Sequence, residues 1–321
     1  MLIGAHVSPA GGLPKAVARG QQRGCRAIQI FNQSPRMWRP TAYPEEDVAA
    51  FREALRASAI DAVLIHAVYL LNCASEDPEI RAKSLASLIH SLRVGHAIGA
   101  AGVVLHPGSA KGGEVQGAIT RAAATIGEAL QETEGCELHL ENTAGTGGTL
   151  GRSFEQLAAL LEGAGAGERL GVCLDSCHLF ATGYDIRTPA GVDAVVREAT
   201  SRLGPGRIRS LHFNDSQTAL GSNRDRHANV GAGELGEEGA SAFLSARGLQ
   251  RLPCVLETPG ENREGPGPEE VARAMALRER GLQARRRPVR LGARGAGRKG
   301  ERASGTGGTG GGKGPANRSR R

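Results

Sequence analysis

Eight short apolar runs punctuate the first 260 residues, and seven of them end in a residue type that ligates metals or moves protons. The seven are Ile3 to His6, Val63 to His66, Val103 to His106, Leu138 to Glu141, Val172 to Asp175, Ile208 to His212 and Val255 to Glu257; the eighth, Ala27 to Phe31, runs into Asn32. Runs this short and this apolar read as parallel strands buried on both faces. Segments with helical patterning, such as Glu45 to Ala57 and Glu79 to Ala97, lie between them. Eight strand–helix alternations in one chain predict an α/β fold, a single-domain (β/α)8 TIM barrel over residues 1–284. In such a barrel the loops at the C-terminal strand ends form the active site. Residues far apart in sequence then meet at one mouth.

Nine residues fall at those strand ends or in the loops that follow: His66, His106, Glu141, Asp175, His178, His212, Asp225, His227 and Glu257. The stretch Asp175 to Asp185 is the densest, with Asp175 expected at the strand end and His178 in the loop beyond it. A lone histidine at such a place is more often a hydrogen-bonded structural residue than a ligand. Nine chemically active groups at one mouth are different, because carboxylates buried there without cations would cost several kcal/mol each. Nitrogen and oxygen ligands without thiolate suit Zn2+, with Mn2+ in its place at one or more sites, better than the oxygen sets of Mg2+ or Ca2+. Nine ligands exceed one ion's needs and match two or three. Outside the set, His90 and His96 sit in a helical segment as surface or packing residues. His6 is expected to touch ligands rather than metal. His139 shares a strand face with Glu141 and should point into the barrel beneath it.

Two loops present other chemistry. Pro35 and Pro40 bar regular structure between them, so Arg36, Trp38 and Arg39 should project from a surface loop beside the mouth, with Trp38 outside the central core. After His66, Tyr69 and Leu70 read on their own as loop packing.

The net charge of +7 suggests a nucleic-acid binder until it is divided along the chain. Residues 281–321 hold twelve Lys or Arg and one Glu, which leaves residues 1–280 at −4. Any attraction for DNA must therefore come from local residues or bound cations. Residues 285–321, rich in Gly, Arg and Lys without apolar periodicity, are expected to be a disordered tail. The tail's expected role is a salt-sensitive, sequence-independent DNA tether. Six scattered cysteines without a Cys-x-x-Cys pair and no secretory signal point to a reducing cytoplasm. No apolar run reaches a membrane span.

Three motifs together resemble the endonuclease IV family of apurinic/apyrimidinic endonucleases. They are His66-x-x-Tyr69-Leu70-Leu71-Asn72, the run Cys173 to Asp185, and His212-Phe-Asn-Asp with Gly221-Ser and Asp225-Arg-His227. The resemblance covers residues 1 to about 262 and implies a TIM barrel with three Zn2+ per chain. It implies one zinc on His66, His106 and Glu141, a second on Glu141, Asp175, His212 and Glu257, and a third on His178, Asp225 and His227. Glu141 would bridge the first two, and Glu141 and Glu257 would be catalytic. The implied substrate is duplex DNA with abasic or 3′-blocked sites, cut by a zinc-bound hydroxide on the 5′ side of the abasic site. The products would be a 3′-hydroxyl and a 5′-deoxyribose phosphate. Arg36, Tyr69 and Leu70 resemble the family's residues that fill the base stack while the abasic nucleotide is flipped out. Three Zn2+ would shift the folded part from −4 to about +2, concentrated at the mouth. A monomer in the cytoplasm, nucleoid-associated through DNA, completes the expectation. Two positions depart from the family: Ala232 stands where Glu is common, and His139 where relatives are usually apolar.

A metal-dependent sugar isomerase-like barrel is the alternative, since that architecture also places divalent metals at this mouth. The third set, His178, Asp225 and His227, is superfluous for chemistry on a sugar. A non-catalytic damage-binding protein is disfavoured because no ligand position is lost.

Overall fold

The computed structural model describes residues 1–286. Of the expected tail, 285–321, all but Arg285 and Arg286 lies outside the described residues. Eight parallel strands close into a barrel: β1 (Leu2–His6), β2 (Ala27–Phe31), β3 (Ala62–His66), β4 (Gly102–Leu105), β5 (Leu138–Glu141), β6 (Leu170–Asp175), β7 (Ile208–His212) and β10 (Pro253–Leu256). A two-stranded antiparallel piece of β8 (Asp215–Ser216) and β9 (His227–Ala228) sits in the loop after β7. The ring closes where β1 pairs with β10, Leu2 opposite Pro253 and Ala5 opposite Leu256. This is the expected (β/α)8 TIM barrel.

Helices α1 (Leu13–Gln22), α2 (Glu45–Arg56), α3 (Pro78–Ile98), α4 (Val115–Gln131), α5 (Phe154–Gly163), α7 (Pro189–Leu203), α8 (Gly236–Leu244) and α9 (Pro268–Arg286) surround the strands. Their limits follow local chemistry. Asp77 caps α3 by accepting from the backbone N–H of Glu79 at 2.8 Å, Pro78 occupies the first turn, and Gly99 ends the helix at φ 72°. The last helix runs two residues past the expected domain limit of 284. Arg285 is tied down there, its guanidinium 2.9 and 3.0 Å from the Asp193 carboxylate and 3.0 Å from Ser245 Oγ.

The core has two parts. The larger lies between strands and helices, with Ile28, Ile30, Ile65, Leu138, Leu140 and Leu174 fully buried. The smaller fills the barrel with Ala27, Ala62, Leu64, Val104, Cys173 and Val255. Alternation along each strand separates the two sets. On β5 it sends Leu138 and Leu140 outward and His139 and Glu141 inward. Gly102 on neighbouring β4 makes room for His139, because a Cβ there would lie 2.4 Å from the imidazole. Trp38 is half-buried and packs against the edge of the outer core rather than at its centre. One local expectation is corrected: His178 lies in a short helix, α6 (Ser176–Ala181), rather than in a loop. Asp175 N-caps that helix, accepting from the His178 N–H at 2.8 Å.

Candidate metal centre

All nine strand-end residues converge on one mouth. Their ligand atoms fall into three groups within which every atom lies within 4.8 Å of the others: His66, His106 and Glu141; Glu141, Asp175, His212 and Glu257; and His178, Asp225 and His227. Glu141 belongs to two groups and is fully buried. A fourth combination substitutes Cys177 beside Asp175 and His227. Burial pushes that thiol up to about 12 and it donates to Arg226 O, so it is a neutral thiol rather than a thiolate ligand.

Each histidine but His106 has one ring nitrogen committed to a protein acceptor. His66 Nδ1 donates to Ala67 O at 2.6 Å, His178 Nδ1 to Asn142 O at 2.8 Å, and His227 Nδ1 to Glu257 O at 3.2 Å. His212 is held the other way round, Nε2 to Gln29 Oε1 at 2.8 Å. The remaining lone pairs therefore face carboxylate oxygens. His66 Nε2 is 3.3 Å and His106 Nε2 2.9 Å from Glu141 Oε2, and His212 Nδ1 is 3.1 Å from Glu141 Oε1. Asp225 lies between His178 Nε2 at 3.1 Å and His227 Nε2 at 3.0 Å. Yet Glu141 Oε2, His178 Nε2 and His227 Nε2 are buried without a hydrogen-bond partner. His212 Nδ1 and Glu141 Oε1 are in hydrogen-bond geometry, but the contacts of these three atoms are not, so those atoms converge on points between them. Lone pair facing lone pair is repulsive unless a cation lies there, so the donor set fits metal ions.

The electrostatics agree. Burial opposes charging of His178, but Asp175, Asp225 and Glu141 outweigh it and raise its pKa well above the usual value. His227 is raised to about 9 against the same burial, through Asp225 and Asp175. Burial alone would raise the Glu141 carboxyl; His106, His212 and His178 hold it well below the carboxylate range. The mouth carries concentrated negative charge that calls for positive charge in return.

Amide side chains outside the ligand set hold this centre in place. Gln29, buried inside the barrel on β2, donates to Glu257 Oε1 at 2.6 Å as well as accepting from His212. Asn142 fixes Asp175 through its backbone N–H at 2.7 Å, and Asn214 donates to Asp175 Oδ2 at 2.6 Å while its Oδ1 accepts from Glu257 N. Asn214 belongs to the His212-Phe-Asn-Asp motif, whereas Asn142 is marked only by following Glu141 and Gln29 only by its place in the second apolar run. His6 stays neutral, its pKa lowered to about 4 by burial, and faces the Gln29 amide at 3.2 Å. Of the other site residues, Tyr69 is 62 % exposed, Leu70 is half-buried against the core, and Arg36 is exposed on its loop. Tyr69 and the loop carrying Arg36 border a cavity of about 810 Å³ that reaches Glu257. No helix among the described residues is long and apolar enough to cross a membrane.

A family model described as the xylose isomerase-like TIM barrel matches residues 17–280. The probable endonuclease 4 of Oleidesulfovibrio alaskensis is 43 % identical over 282 residues, covering 87 % of this chain and 94 % of that protein. The crystal structure of endonuclease IV from Thermus thermophilus is similar with a TM-score of 0.76 and 36 % identity, over 88 % of this chain and all of that one. A D-tagatose 3-epimerase-like protein also superimposes, with a TM-score of 0.65 at 18 % identity, a likeness of fold alone. A barrel that aligns nearly end to end with such relatives, and whose mouth gathers nine ligand-type residues, belongs to the endonuclease IV family.

Proposed function

We propose that the protein is a DNA-repair endonuclease that hydrolyses the phosphodiester on the 5′ side of an abasic site in duplex DNA. The products are a 3′-hydroxyl and a 5′-deoxyribose phosphate. The observation that carries this reading is the sharing of one fully buried carboxylate, Glu141, between two ligand groups, with a third group beside them. Three Zn2+, or Mn2+ at one or more positions, would be held by His66, His106 and Glu141, by Glu141, Asp175, His212 and Glu257, and by His178, Asp225 and His227. Bound there, such ions supply a strong nucleophile at neutral pH and neutralise charge on phosphate oxygens.

The chain's own residues do the rest. Glu257, with its carboxylate partly open to the mouth, is placed to take the proton of the attacking water. Burial alone would raise its pKa, but His212 and His66 outweigh burial and keep it ionised. Gln29 and Asn214 fix its orientation through Oε1 and the backbone N–H. In-line attack on phosphorus breaks the bond to the 3′-oxygen, which leaves as a hydroxyl once protonated, with no covalent enzyme intermediate. Tyr69, held edge-on to Phe31 with ring centroids 5.3 Å apart and open to solvent on its other side, can stack in the gap left by the flipped nucleotide. Leu70 follows it in the chain, and the loop carrying Arg36 borders the same cavity. The test is incision of an abasic duplex by protein stripped of metal and then reloaded with Zn2+ or Mn2+. Activity recovered only on reloading supports the reading, whereas incision unaffected by stripping, or none after reloading, refutes it.

A further inference from the structure

The loop that follows β10 separates two cavities at the mouth that differ in charge balance. Beside Tyr69 is the cavity of about 810 Å³, whose walls include three carboxylates, Asp47, Glu257 and Glu264, against one guanidinium, Arg23. Across the loop is a second of about 750 Å³, bordered by Asp225 and His227 of the third ligand group and by Arg226, Arg263 and Gln217. Thr258 and Gly265 line both, so the loop itself is the partition. Its adjacent residues Arg263 and Glu264 serve different sides.

Arg263 reaches its side through an unusual backbone. Asn262 and Arg263 both take left-handed conformations, at φ 58° and 61°, which side chains other than glycine adopt only at a cost. The loop is pinned around them, with Gly260 N donating to Asn229 Oδ1 and Gly265 N to Pro259 O, each at 2.9 Å. Arg226 donates only to the carbonyl of its neighbour Asp225, and among the described residues neither guanidinium is paired with a carboxylate. Two unpaired guanidiniums border a cavity that also contains ligand-group atoms, and their planar forks match the oxygens of a phosphate.

We propose that Arg263, with Arg226, clamps a DNA backbone phosphate next to the one held at the three ligand groups. The larger cavity, with three carboxylates to one guanidinium, is the less favourable side for this phosphate. The inference rests on the endonuclease reading and adds to it a binding residue in the loop after Glu257, outside the three motifs that carry the resemblance.

The test uses the metal-loaded full chain and a nicked duplex carrying a 3′-hydroxyl and a 5′-tetrahydrofuran phosphate, a product mimic that is not consumed. Affinity is followed by fluorescence anisotropy across a KCl series. Each lost phosphate contact flattens the dependence of log affinity on log salt by about 0.9, so Arg263→Gln should show that change. Arg226→Gln should do the same, which guards against one variant disturbing the loop. Arg263→Lys should keep most of the slope while binding less tightly, because the charge remains and the fork is lost. Arg197→Gln, an exposed position on α7, is the control and should keep the wild-type slope. Wild-type slopes in both Arg263→Gln and Arg226→Gln overturn the clamp, as does equal flattening in Arg197→Gln, which would reduce the effect to net charge. Should the wild-type protein fail to incise an abasic duplex, the endonuclease reading falls and the clamp with it; should it incise while the slopes stay unchanged, the clamp alone falls.

Discussion

Two histidine–glutamate clusters lie along strand β5, one step of the inward face apart. At the lower one, His139 Nδ1 meets Ser210 Oγ at 2.9 Å and Nε2 meets Glu137 Oε2 at 3.2 Å, so both ring nitrogens are satisfied by protein. Burial lowers its pKa despite the neighbouring Glu137, and Gly102 leaves space for the ring. At the upper one, Glu141 is surrounded by His66, His106, His178 and His212, and its Oε2 has no hydrogen-bond partner. The residue types are the same, and His139 and Glu141 are both buried. The difference lies in the polar atoms, which are all matched within the protein at His139, whereas at Glu141 only Oε1 is matched, by His212, and Oε2 is not. An imidazole beside a carboxylate marks a cation site only when its free nitrogen cannot be matched by a donor.

The contrast can be broken most directly at Glu141. Glu141→Gln removes a charge from two groups at once, and incision of an abasic duplex should fall about 10²- to 10³-fold, the scale of losing one electrostatic stabiliser of a transition state. Elemental analysis should show metal lost as well, and a variant with full metal content and activity would place Glu141 with His139 as a structural residue. Asn142→Ala leaves every ligand in place but releases the backbone of Asp175. Metal affinity measured by chelator competition should drop about 10- to 100-fold; an unchanged affinity would mean that this contact does not orient the centre.

The lower cluster and the rim should leave the metals alone. Tyr69→Ala is expected to weaken binding to an abasic duplex by about 1 to 3 kcal/mol with metal content intact, as for one lost base–aromatic stack. An unaltered dissociation constant would return Tyr69 to loop packing. Gly102→Ala should touch neither metal nor DNA. Its Cβ would press on the His139 ring, so the cost of about 1 to 3 kcal/mol should appear only in denaturant unfolding. Loss of metal in this variant would show that the two clusters are coupled.

Much of this arrangement is legible in the amino-acid order. A strand buried on both faces leaves an apolar run, and a ligand at its end stands out where the run stops, as at His66, Glu141 and His212. Inward direction follows from counting by two from Glu141 to His139. Less visible is anything that depends on how separate segments meet. Sequence places His178 in a loop, yet it lies in a helix because Asp175 caps it. The loop after Glu257 offers no motif, and only the folded chain brings Arg263 to the same cavity as Arg226 and the third ligand group.

Strand alternation and strand ends are local properties that periodicity records, so the order of residues alone specifies the barrel, its mouth and the groups gathered there. Which nitrogen of each imidazole is free depends instead on contacts between distant segments. That choice is made by Gln29, Asn142, Ala67 and the Glu257 carbonyl, acceptors positioned by the fold at hydrogen-bond distance. No spacing in a single chain encodes it, since barrel register sets those distances, and they turn a set of polar residues into a centre able to hold cations.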